Sequence, residues 1–120
     1  MENHLTYLNS DTVEEVTSMM DGDAELIIDL IDTLMETAPE LMEQLQNGLA
    51  QGDAVAVREA AHALKSSTAQ MGAFAFSDLC KEMEEKGKNQ DLAAARILLA
   101  DMKADYTRTM EAMAAWKASL

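Results

Sequence analysis

The sequence predicts an all-α fold: an up-down antiparallel four-helix bundle with an additional short N-terminal helix. Three observations carry that expectation. The chain is rich in Ala, Leu and Met, with ten of the last, and it contains no β-branched run, a composition that favours helix over strand. Apolar residues recur in a 4-3-4-3 spacing over long stretches, the period of a helix with one buried face. The connections between those stretches are short, so successive helices lie antiparallel. At 120 residues, 48% hydrophobic and 26% charged, the chain is long enough to bury a core of its own, and residues 1–120 read as one domain.

The first helix is expected to start at Asp11-x-x-Glu14, a capping-box spacing. Val13, Val16 and Met20 form its short apolar stripe, and Asp21-Gly22-Asp23 ends it. Leu5 and Leu8, ahead of it, are placed to pack as a lid on the bundle. The second helix is long, from about Ala24 to Ala50, with Ile27, Ile31, Leu34, Ala38, Leu41, Leu45 and Leu49 as its inner stripe. Pro39 lies inside it and removes the N–H that would bond the Met35 carbonyl, so a kink is expected. The stripe stays in phase across the proline, which indicates one kinked helix rather than two. Gly48 to Asp53 reads as a turn, with Asp53 capping the next helix.

That third helix carries REAAHALKSSTAQMGA, residues 58–73. Wound at about 100° per residue, Val57, Ala61, Leu64, Thr68 and Met71 share one direction and face the core. His62 points about 140° away from them, with Arg58, Lys65, Ser66 and Ala69 on its side. Gly72 then marks a helix end or a tight backbone approach. A fourth helix from about Phe74 to Lys86 buries Phe76, Leu79, Cys80 and Met83, and Gly87-Lys88-Asn89 closes it with Gly87 as its cap. The fifth runs from an Asp91 cap to near the end, with Ala95, Leu99, Met102, Tyr106, Met110, Met113 and Trp116 inward.

Charge excludes several functions. The net charge is −13, and residues 1–57 hold 13 acids and no Lys or Arg, whereas residues 58–120 hold 9 acids and all 9 bases. Phosphate backbones need clustered cations, so nucleic acid is not a partner. The acidic half reads as a solvated, solubilising surface. No apolar run is long enough to span a membrane, and the start MENHLTYLNSD lacks the features of a signal peptide, so the cytoplasm is the expected location. One cysteine, Cys80, cannot form an internal disulfide and reads as core.

Few side chains offer chemistry. His4 lies in a terminus where fraying is expected, which leaves it inert. Glu59-x-x-His62 has the spacing of di-metal carboxylate bundles, but such a site needs a second Glu-x-x-His, and Met1 rather than a carboxylate stands three residues before His4. No metal is expected, and no cofactor. The five glycines are isolated, so no phosphate-cradling loop exists. No second histidine stands as a base beside a Ser or Cys. There remains an imidazole turned away from the core, able to attack phosphorus and hold a phosphoryl group. Lys65, three residues on, shares its helical face and offsets phosphoryl charge.

At these residues a family becomes recognisable. His62-Ala-Leu-Lys65-Ser-Ser, continuing to Met71-Gly72-Ala73, closely resembles the His-x-Leu-Lys-(Gly/Ser)-(Ser/Ala) signature of histidine-containing phosphotransfer (HPt) domains. Leu79-Cys80, Met83-Glu84 and the pattern to Trp116 also fit, and the whole is similar to a stand-alone bacterial HPt protein. The resemblance implies that His62 accepts a phosphoryl group from an aspartyl phosphate of a response-regulator receiver and passes it to another receiver. Its implied partners are receiver domains and a hybrid sensor histidine kinase, and it is a carrier without kinase activity of its own. By the same match Lys65 assists electrostatically and Gly72 permits close packing beside the site. Ser66 stands where glycine is commonest, and Glu84 where several members carry a glutamine that orients the histidine through Nδ1. If the fourth helix lies antiparallel to the third, Glu84 falls level with His62, where a carboxylate would accept Nδ1–H and leave Nε2 free; otherwise it is one more solvated acid beside Glu82 and Glu85. A non-phosphorylated helical adaptor is the alternative function, disfavoured because an adaptor needs neither His62 nor Lys65. The last helix shows no second exposed apolar stripe that would demand a dimer, so a monomer is expected.

Overall fold

The computed structural model describes residues 7–120, so His4 and Leu5 lie outside the described residues. The helices are α1 (Ser10–Met19), α2 (Ala24–Gln51), α3 (Ala54–Gln70), α4 (Phe74–Lys88) and α5 (Leu92–Ala118). No strand occurs among the described residues. α2 packs on α3, α3 on α4, α4 on α5 and α5 back on α2. That ring of four staves is the expected up-down bundle. Twenty-eight helical residues measure about 42 Å, so α2 alone nearly spans the 44 Å long axis of the molecule.

The stripes read from the sequence form one core, with two adjustments. Val57, Ala61, Leu64, Thr68 and Met71 are all buried, as are Phe76, Cys80, Met83, Met102, Met113 and Trp116. In α2 Met42 is buried while Leu41 is only partly so; in α5 Thr109 and Ala112 are buried while Leu99, Tyr106 and Met110 lie at the margin. Helical phase drifts slowly against a strict seven-residue repeat, which moves the inner face sideways along a helix this long. The buried threonine hydroxyls are satisfied locally: Thr68 Oγ1 donates to the Leu64 carbonyl at 2.7 Å and Thr109 Oγ1 to Asp105 Oδ1 at 3.0 Å.

Three boundaries differ from expectation. α1 starts at Ser10, not Asp11, because Asn9 is its cap and accepts the Thr12 N–H at 3.0 Å. α2 continues past Gly48 to Gln51 and ends at Gly52, whose φ of 71° is left-handed. α4 continues through Gly87 to Lys88, so Gly87 is no cap. Gly48 and Gly87 are instead places where helices touch. A Cβ on Gly87 would stand 2.9 Å from the Arg58 backbone nitrogen, and one on Gly48 3.1 Å from Val57 Cγ2. The remaining caps are as expected, Asp53 accepting Ala56 N–H at 3.1 Å and Asp91 accepting Ala94 N–H at 3.2 Å. Pro39 sits within a single uninterrupted α2.

Leu8, ahead of α1, is buried, as is Val16 on α1. The link to the bundle is specific: the Asn9 N–H donates to the Gly72 carbonyl at 2.8 Å. Gly72, at φ 85°, would clash through a Cβ with Thr12 at 3.0 Å.

Candidate functional site

The tight seam between α3 and α4 sets the site. With Gly87 pressed on Arg58, α4 runs close and antiparallel along α3, and its Glu84 arrives level with His62. Two hydrogen bonds follow from that register. His62 Nδ1 lies 2.7 Å from Glu84 Oε2, and Lys65 Nζ lies 2.7 Å from Glu84 Oε1. One carboxylate therefore bridges the imidazole and the ammonium, each through its own oxygen. A third tie comes from Ser77, buried on α4, whose hydroxyl donates to the Lys65 carbonyl at 2.9 Å. The two 2.7 Å contacts to the carboxylate are in the range of charge-assisted bonds.

Exposure differs sharply within the cluster. The His62 side chain is 60% accessible, against 30% for Lys65 and 21% for Glu84. The imidazole thus stands out from the surface while the groups that hold it lie in the interhelical groove. Lys65, by its hydrogen bond, is the main cause that lowers the Glu84 carboxyl below its ordinary value of 4.5; partial burial opposes this, and His62 adds to the lowering. Glu84 is therefore ionised at neutral pH and can only accept. The hydrogen on the Nδ1–Oε2 bond must then come from His62, which puts the proton of the neutral ring on Nδ1. Nε2 of that tautomer keeps its lone pair.

The other residues singled out in the sequence fall into two groups. Ser66 is exposed one turn beyond His62 on the same face, with Arg58 exposed one turn before it. Gly72 lies past the end of α3, two turns or more beyond His62, and its close packing is against Asn9 and against Thr12 of α1. Ser77 was missed by sequence reading, because a serine between Phe76 and Asp78 carries no periodic signal of its own. Cys80 is fully buried, and burial, with the Asp105 charge adding, pushes its thiol up to about 12. It is an inert core residue at neutral pH. Among the described residues no group of three or more His, Cys, Asp or Glu side chains is gathered as a metal site. Among them also no helix is long and apolar enough to cross a membrane.

An exposed imidazole braced through Nδ1, beside a cation, on one stave of a four-helix bundle has the groups needed to attack phosphorus and to balance phosphoryl charge. The family comparison decides the matter: the Hpt domain model matches residues 29–116. The chain belongs to the Hpt domain family. Its fold is also that of a solved relative, the crystal structure of histidine-containing phosphotransfer protein B (HptB) from Pseudomonas aeruginosa PAO1. The two superpose with a TM-score of 0.87 at 24% sequence identity, over 95% of this chain and 96% of that one. No curated protein matches the sequence. As a member of the Hpt family, the protein is a phosphorelay carrier of two-component signal transduction.

Proposed function

We propose that His62 is the phosphoacceptor of this HPt domain and that Glu84 and Lys65 position and balance it. The observation that carries this reading is the shared carboxylate, at 2.7 Å from both His62 Nδ1 and Lys65 Nζ. Nε2 of the neutral ring attacks the phosphorus of a receiver's aspartyl phosphate in line with the acyl oxygen. The P–O bond breaks, its electron pair leaves with the receiver's aspartate, and a P–N bond forms at Nε2. Charge that appears on the ring is met by Glu84 through the retained Nδ1–H. Lys65, one turn away on the same face, is within reach of the new phosphoryl oxygens and offsets their charge. Transfer to a second receiver is the same step reversed. No kinase activity of its own belongs to this reading, since the isolated glycines offer no cradle for a nucleotide.

The receiver is expected to cover the face formed by α3 and α4. Receiver active sites are carboxylate-rich, and α4 carries Lys81 and Lys88 within about 60° of Glu84 on that face, with Lys86 on its other flank, whereas α2 has no base at all. Ser66 lies under the same footprint and adds a hydroxyl beside the phosphoryl group. The test is phosphotransfer from a receiver charged with acetyl phosphate. The parent should take up an acid-labile, base-stable label and His62→Gln none; a label that persists in His62→Gln at the parental rate sinks the proposal.

A further inference from the structure

On the side of the bundle away from His62, α2 and α5 are joined at both ends and open between. Lys117 Nζ bonds Asp32 Oδ1 at 2.7 Å near one end, and Arg96 Nη2 donates to the Leu49 carbonyl at 2.7 Å near the other. Along this seam lie two adjoining open pockets of about 660 and 480 Å³ that share Met35 and Ala114, the Asp32–Lys117 pair forming part of the lining of the first. Ile28, Met35, Pro39, Tyr106, Met110 and Ala114 give this groove an apolar floor. Its rim is acidic, with Asp32, Glu36 and Glu111; the one base on the lining, Lys117, is already engaged by Asp32.

The α2 bank is more acidic than the lining alone suggests. Asp29, Asp32, Glu36, Glu40 and Glu43 follow a 3-4-4-3 spacing, which places all five within a strip about 80° wide, opposite the core. All are exposed except Asp32, which is half-buried. An apolar trough beside a straight acidic ridge is the complement of one kind of partner.

We propose that the α2/α5 groove docks a cationic amphipathic helix of a partner protein, leaving His62 open on the opposite seam. The span from Ile28 to Pro39 is about 17 Å, or three turns of a guest helix, enough for apolar anchors at i, i+3 or i+4, and i+7. A trough between two antiparallel helices receives a third by ridge-into-groove packing. The thioethers of Met35 and Met110 are flexible enough to fit varied anchors. Lys and Arg flanking the guest's apolar stripe meet the ridge of carboxylates. The same ridge repels phosphate backbones, anionic bilayers and a second copy of this chain, whose own α2 is equally acidic. The site is separate from the phosphotransfer chemistry, so the chain can be tethered through one seam while it exchanges phosphoryl groups at the other.

The experiment uses the full chain with methyl-labelled methionine and a synthetic amphipathic peptide, leucines on one helical face and lysines on its flanks. A scrambled peptide of the same composition is the control. The expected result is that the amphipathic peptide shifts the Met35 and Met110 methyl resonances and not those of Met19 or Met83, while the scrambled one binds at least about tenfold more weakly. Glu36→Lys with Glu40→Lys should weaken binding about tenfold at low salt and less at high salt. Circular dichroism confirms that this variant is folded, and its phosphotransfer rate should equal the parent's. Three results would each overturn the proposal: equal binding of both peptides, no shift at Met35 and Met110, or shifts of those methyls on dilution of the protein alone, which would make a second copy the occupant.

Discussion

The seam between α3 and α4 and the seam between α5 and α2 are built from similar amphipathic helices, yet they make opposite surfaces. In the first, a glycine lets the backbones touch, with a Cβ on Gly87 only 2.9 Å from the Arg58 nitrogen. Side chains that cross so short a gap have few ways to arrange themselves, and His62, Glu84 and Lys65 form one connected network. In the second, Met35, Tyr106 and Met110 stand between the helices and leave an open trough. Rigid placement of one reactive ring and adaptable recognition of a partner thus come from the size of the residues at two seams. The lesson is that a bundle separates tasks by how closely each pair of staves approaches.

The comparison can be broken most severely at Gly87. Gly87→Val forces a branched side chain into the Arg58 backbone and should lower unfolding stability by about 3 kcal/mol. Phosphotransfer should slow as well, because Glu84 is carried away from His62; urea denaturation and a transfer assay read the two effects. At the open seam, Pro39→Ala should do the reverse. It restores a helical N–H for the Met35 carbonyl, and a gain of about 1–2 kcal/mol is expected with an unchanged transfer rate. A loss of transfer in Pro39→Ala would show that the seams are coupled.

Glu84→Gln tests the network through pH. The carboxyl is held below its ordinary 4.5 in the folded protein, so the unfolded chain binds the proton more readily. The resulting stabilisation is present above about pH 4.5 and is lost as pH falls through the lower folded value. The parent should therefore exceed Glu84→Gln in stability near neutrality, with the difference closing as the solution is acidified below 4.5. Denaturation curves over a pH series would contradict this if the gap widened toward acid. Lys65→Ala should change stability by less than about 0.5 kcal/mol, since the pair is partly solvated. Its signature is slower transfer. The smallest effect is expected at Lys81→Glu or Lys86→Glu, which should slow receiver association more at low salt than at high. Charge changes at Asp29 or Glu43 should leave that rate alone.

Much of this was legible in the sequence, and what was not shares a physical cause. The apolar stripes identify α2 to α5 because each reports its own buried face, and the exposed side of His62 follows from the same wheel. The level of Glu84 beside His62 followed from assuming antiparallel neighbours, and the bond to Nδ1 is there. What periodicity within one helix does not encode is contact between helices. Gly87 reads as a cap, since a glycine between Lys86 and Lys88 at the end of a helical pattern usually is one, and its role as a packing contact depends on Arg58 in another helix. Ser77 and Arg96 act by donating to backbone carbonyls of other helices, Lys65 and Leu49, and such acceptors leave no trace in side-chain pattern. The start of α1 differs for a simpler reason: Asn and Asp both cap well, and Asn9 takes the position by accepting the Thr12 N–H while its own N–H is held by the Gly72 carbonyl.

The central claim is that a carboxylate on α4 fixes the His62 ring so that Nε2 alone is presented to phosphorus. The direct measurement is NMR of the phosphorylated chain with isotope-labelled histidine, reading the phosphorus–nitrogen coupling and the remaining ring proton. The account predicts phosphorus bonded to Nε2 of His62, with the proton retained on Nδ1. Phosphorus on Nδ1, or on any residue other than His62, would contradict it.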